Sequence, residues 1–157
     1  MKKLSIILPL LVLSAVGFKN IIQNKPKAIT HKQWSELLKK HVNNKGDVNY
    51  KGFIKDSVAL NRYLKLLSDN APDSSLTKNE KFAYWINAYN AFTVKLITQH
   101  YPLKSIKDLG STATKNAPWD EKFFTIGGKE MTLNTIEHDI LRKPFNDPRL
   151  HFAINCA

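Results

Sequence analysis

The sequence predicts an α+β fold: a single, mainly helical domain around one buried central helix, with a small antiparallel β-hairpin beside it. Three observations carry this. From Phe82 to Phe92 the chain is apolar on every side of a helical wheel, the pattern of a helix enclosed by its own protein rather than lying on a surface. Gly127-Gly128 separates two short β-prone runs, and two glycines supply the positive φ that a two-residue hairpin turn requires. The length of 157 residues suits one domain with a real core. Hydrophobic residues at 43% and charged residues at 24% exclude an intrinsically disordered chain, and no fixed-period repeat is visible.

The first residues carry a different message. Lys2 and Lys3 precede an apolar run from Leu4 to Leu13, and Ala15-Val16-Gly17 forms a small-x-small site, so residues 1–17 read as a cleaved secretory signal peptide. The run is short for a membrane span, which needs roughly 20 apolar residues. The mature protein is therefore expected to be exported, to the periplasm, the envelope or the medium, and not to be an integral membrane protein. Residues 18–29 read as a tether, and residues 30–157 as the domain.

The formal charge of +11 loses two units with Lys2 and Lys3, and the remaining excess lies between Lys19 and Lys65. Such a basic half attracts anionic envelope surfaces in a salt-dependent way, while solvated helix faces would carry the same lysines. Nucleic acid is not expected as a partner, because no binding module is present. No other partner is specified.

Thr30 with Gln33 spells a capping box for a first helix, whose face is Trp34, Leu37, Leu38, His41 and Val42. His41 on that face reads as a packed core histidine. Gly46 and Gly52 flank a short extended piece, Val48 to Tyr50, and a second helix follows from about Asp56. Thr77 and Glu80 cap the central helix, which Tyr101-Pro102 closes. On it Asn87 and Asn90 share a face, and each amide needs a partner, because an unpaired buried one costs about 1–3 kcal/mol. They are read either as binding the backbone of an adjoining loop or as touching a substrate; Tyr84 and Tyr89 admit the same two readings.

Phe123 to Ile126 and Lys129 to Met131 form the hairpin. Asn134 with Glu137 reads as the capping box of a last helix, whose apolar face is Leu133, Ile136, Ile140 and Leu141. Glu137 and His138 point about 100° apart on an α-helix, whereas His138 and Arg142 share a face. Two histidines at helical ligand spacing are absent, so neither a zinc site nor any other metal or cofactor is indicated here.

The stretches "EKFAYWINAYNAFTVKLI", "YPLKSIKDL", "TLNTIEHDILR" and "DPRLHFAINCA", in this order and spacing, resemble the family catalogued as domain of unknown function 547, from about Leu76 to Ala157. The resemblance imports no agreed reaction. It implies a set of motif positions: Asn87, Tyr89, Asn90, Glu137, His138, Arg142, Arg149, His151, Asn155 and Cys156. It also implies that "NCA" continues into serine, a second cysteine and proline, so the chain is expected to be cut at its C-terminus.

Two function classes are open. One is a binding or structural envelope module, in which Asn87, Tyr89, Asn90, Arg142 and Arg149 fix loops and Cys156, the single cysteine, pairs with the family's second one. The other is a cysteine-dependent hydrolase or acyltransferase: Cys156 as nucleophile, His138 or His151 as base, Glu137 orienting the imidazole, and Asn155 or Asn90 donating to the oxyanion. If the segment before Cys156 is extended, His151 faces the other side and His138 is the better base. The leader gives the first testable outcome: intact-mass measurement of the protein recovered from outside the cytoplasm should find a chain starting at Phe18, and a retained Met1 would refute cleavage.

Overall fold

The computed structural model describes residues 28–110 and 117–155. The leader, the tether up to residue 27 and Cys156 lie outside the described residues. Helices dominate, joined by a two-stranded antiparallel sheet, and one hydrophobic core runs through the whole, which is the mainly helical α+β fold that the sequence predicts. No helix among the described residues is long and apolar enough to cross a membrane.

Helix α1 (Lys32–His41) buries Trp34, Leu37 and His41. Its cap is His31, one residue later than expected, and Thr30 Oγ1 accepts only a long hydrogen bond from the Lys32 amide, 3.3 Å. The reason is tertiary. His31 Nδ1 lies 2.7 Å from the Tyr63 hydroxyl and its ring sits edge-on to both Tyr63 and Tyr84, so the chain enters the helix where that ring is held. Trp34 stacks flat on Tyr63 at 5.6 Å between centroids, docking α1 on the next helices.

A single antiparallel bridge, Val42 to Val48, follows, with Gly46 at φ 89° turning the chain between them. Helix α2 (Tyr50–Lys55) starts earlier than expected because Asn49 caps it through the Gly52 amide. The chain bends at Asp56 and continues as α3 (Ser57–Asp69). One Asp56 oxygen holds the bend: it accepts from Lys40 Nζ at 2.6 Å and faces His41 Nε2 at 2.7 Å. Both contacts hold the Asp56 carboxyl below the usual carboxylate range. His41, 6% exposed and tilted against Phe53, is thus a packed core histidine.

Helix α4 (Lys78–Gln99) begins with the full Thr77 and Glu80 capping box, and its buried residues run from Tyr84 to Ile97. Phe92 stacks on Phe124 at 3.8 Å, fixing strand β1 (Phe124–Ile126) against it. Strand β2 (Lys129–Met131) pairs with β1 in the register Phe124 to Met131. Gly127 and Gly128 both take positive φ, 59° and 76°, and the Gly127 amide donates to Ser68 O of α3.

Gly52 shows how tightly α1 and α2 meet, since a Cβ there would collide with the His41 ring. Alanine at a helical glycine otherwise gains up to about 1 kcal/mol, but overpacking costs about 1–3 kcal/mol. Gly52→Ala should therefore lose about 1–2 kcal/mol in urea unfolding, and a stabilised variant would contradict this packing.

Candidate functional site

Six of the polar motif positions, Tyr89, Asn90, Glu137, Arg142, His151 and Asn155, come together where the middle of α4 meets the last third of the chain. Tyr89 is fully buried, and its hydroxyl donates to Glu137 Oε2 at 3.2 Å. Glu137 is only 7% exposed, and its other oxygen accepts from Arg142 Nε at 2.9 Å and Nη2 at 2.6 Å. Arg142 Nη1 then lies 3.2 Å from His151 Nε2. A guanidinium only donates, so a hydrogen bond here uses this His151 nitrogen as the acceptor. The four side chains form one relay from the core to the surface.

Backbone winding makes this relay possible. Residues Thr135–Arg142 form a π-helix, whose hydrogen bonds run from i to i+5. On an α-helix Glu137 and Arg142 would point about 140° apart, and the wider turn brings them onto one side. Arg142 therefore meets Glu137 and not His138, contrary to the shared face expected of an α-helix.

Two further expectations are corrected here. Glu137 does not close a capping box with Asn134, which makes no side-chain cap. Thr132 Oγ1 takes the Thr135 amide instead, at 2.9 Å, leaving Glu137 free to turn inward. Nor does Glu137 orient His138: both its oxygens are occupied by Tyr89 and Arg142, while His138 is exposed. On that outer side Asp139 is held below the usual carboxylate range, first by Lys143 and to a lesser degree by His138.

Asn90 has another task. Its Nδ2 donates to Ala153 O at 2.8 Å, and its Oδ1 accepts from the Asn155 amide at 2.9 Å. Donor and acceptor are each matched, so one amide side chain closes on the backbone of residues 153–155 as a strand neighbour would. Asn87, one turn earlier and half-buried, takes no part in this clamp.

The segment leading into the clamp is not a strand. After the short helix α5 (Lys143–Phe145), Leu150–Ala153 is a helical turn, α6, anchored by Leu150 at 2% exposure, and the chain becomes extended only at Ile154. The geometric case for preferring His138 over His151 therefore falls away, since His151 lies on that turn and is the histidine joined to the relay. Arg149 is exposed and forks onto Asp147, holding that carboxyl down at about 2. Asn155 is exposed, with its amide held by Asn90. Cys156 is the next residue in the sequence.

Beside the clamp lies a cavity of about 140 Å³ between α1, the Val42 bridge and α4, with Trp34, Val48 and Tyr50 among its walls and Asn90, Thr93 and Asn155 at its polar end. Thr93 is not one of the motif positions; it is buried and donates to Tyr89 O within its own helix. Ala153 has no side-chain signature in the sequence, because it contributes only a carbonyl. Among the described residues no three histidine, cysteine or acidic side chains gather in a way that could hold a metal ion.

The family model described as "Protein of unknown function, DUF547" matches residues 74–157. No curated protein and no solved structure matches the chain. The matched region contains the entire relay and the Asn90 clamp.

The clamp gives a direct outcome. Asn90→Asp keeps an acceptor for the Asn155 amide but sets a carboxylate against Ala153 O, so about 1–3 kcal/mol of stability should be lost. Hydrogen exchange at residues 154 and 155 should quicken as well, and unchanged exchange there would show that the two hydrogen bonds do not hold the segment.

Proposed function

We propose, since the chain belongs to the DUF547 family, that it is an exported cell-envelope domain serving as a binding or structural module. One observation carries this: the motif side chains are used to hold the chain in place. Asn90 has both ends of its amide on backbone, and Glu137 has both oxygens on Arg142 and Tyr89. In a cysteine hydrolase an asparagine that donates to an oxyanion, or a carboxylate that orients the base, would need those same groups for itself. Export is supported by the basic, apolar and small-residue pattern of residues 1–17. The exposed lysines of the first helices support an anionic envelope surface as partner.

A second function, a cysteine-dependent hydrolase or acyltransferase with Cys156 as nucleophile, is favoured by a different observation. The Asn90 clamp seats the backbone just before Cys156 beside a cavity, and His151, tied through Arg142 to Glu137, stands on the short turn that precedes it. Preorganised backbone next to a nucleophile is what covalent catalysis needs. His151 rather than His138 is then the base to test.

The two are separated by the pH dependence of iodoacetamide labelling of Cys156, with His138→Ala and His151→Ala measured beside the unaltered chain. A module predicts labelling that follows an ordinary thiol, rising near about pH 8.5, or no labelling at all, in either case unaltered by both substitutions. Labelling that persists below about pH 7 and is lost on removing one histidine would overturn the module in favour of the hydrolase.

A further inference from the structure

Helices α2 and α3 present an outer stripe that the domain itself does not use. Lys51, Ile54, Lys55, Val58 and Arg62 recur at i, i+3, i+4, i+7 and i+11, and all five are exposed. The helical hydrogen bonding continues across the bend, with the Asp56 amide on Gly52 O and the Leu60 amide on Asp56 O, so the stripe runs along one side of both helices. The opposite side carries Phe53, Leu60, Tyr63, Leu64 and Leu67 into the core, each at most 5% exposed.

Two features of this stripe point to a partner. Ile54 and Val58 are 39% and 70% exposed, and with Phe152 they are the large exposed hydrophobic side chains among the described residues. Around them Lys51, Lys55 and Arg62 have no acidic partner among the described residues. The one acidic residue between 51 and 65 is Asp56, and it is turned toward Lys40 and His41 on α1. The stripe is cationic, without a countercharge among the described residues, and apolar at its centre.

We propose that the α2 and α3 stripe docks on the surface of an anionic lipid bilayer, with Ile54 and Val58 entering the headgroup boundary and Lys51, Lys55 and Arg62 on the lipid phosphates. This rests on the envelope-binding function above and names its partner. Apolar side chains among cations fit a bilayer, which rewards both contacts. An acidic polymer would reward only the charges.

The test uses the full chain with Val58→Cys in a Cys156→Ser background, carrying a polarity-sensitive dye at position 58. The apolar leader is common to every variant, so the signal read is the dye's own environment. On phosphatidylglycerol vesicles its emission should shift to the blue, with no shift on phosphatidylcholine vesicles and a weakening shift as salt rises. Replacing Lys51, Lys55 and Arg62 by glutamine should raise the half-saturating lipid concentration on the order of a hundredfold, about fivefold for each charge, while circular dichroism confirms that the variant is folded. A dye that stays silent on anionic vesicles, or a shift that survives the triple replacement, overturns the proposal. So does salt-sensitive binding to polyglutamate combined with a silent dye on vesicles. Failure here leaves the thiol labelling of Cys156 untouched, so loss of the lipid partner and loss of the module function are read separately.

Discussion

A helix enclosed in its own core must find a partner for every polar atom it carries, and this requirement on α4 arranges much of what surrounds it. An unmatched buried donor or acceptor costs about 1–3 kcal/mol, comparable with the gain from burying a whole aliphatic side chain. The partners of α4 are therefore placed: Tyr84 reaches the end of α3 through Leu67 O, Tyr89 reaches the π-helix, and Asn90 reaches the backbone at the end of α6 and just after it. Each bond fixes one neighbour along the helix. Hydrophobic burial gathers these elements, and the directional bonds set where along α4 each one stops.

The Glu137 and Arg142 pair illustrates the same economy in a charged form. A buried carboxylate is tolerated when its charge is matched and its lone pairs are filled, and here Arg142 supplies two donors to one oxygen while Tyr89 supplies the other. The π winding is the geometric cost of that pairing, since five-residue spacing on an α-helix would set the two side chains apart. Arg142 remains about one-third exposed, which lets its third nitrogen reach His151 at the surface. A core charge is thus linked to the last helical turn through a single guanidinium.

What was legible in the sequence was local. The Thr77 and Glu80 box, the Gly127-Gly128 turn and the apolar run of α4 depend on residues close in sequence, and the structure contains the box, the turn and a core-forming α4. The Asn134 and Glu137 spelling was identical in kind and led elsewhere, because Thr132 could do the capping and a half-buried arginine claimed the carboxylate. Thr30 likewise yielded to His31, held by two tyrosines from distant helices. At the candidate site the residues could be named from sequence but not paired. Asn90 and Ala153 are 63 positions apart, and half of that contact is a main-chain carbonyl with no side-chain signature.

The Asn90 clamp also has a mechanical side. Its two hydrogen bonds sit side by side on one amide group, gripping the chain at residues 153 and 155, so a pull on the backbone at Asn155 loads the nearer bond first and the farther one two residues further back. That load passes straight into the middle of the most deeply packed helix, bypassing the short turn of α6. Tension arriving from this side is thus borne by the core before it is felt by the surface turns, and the end of the described chain is fastened at its centre.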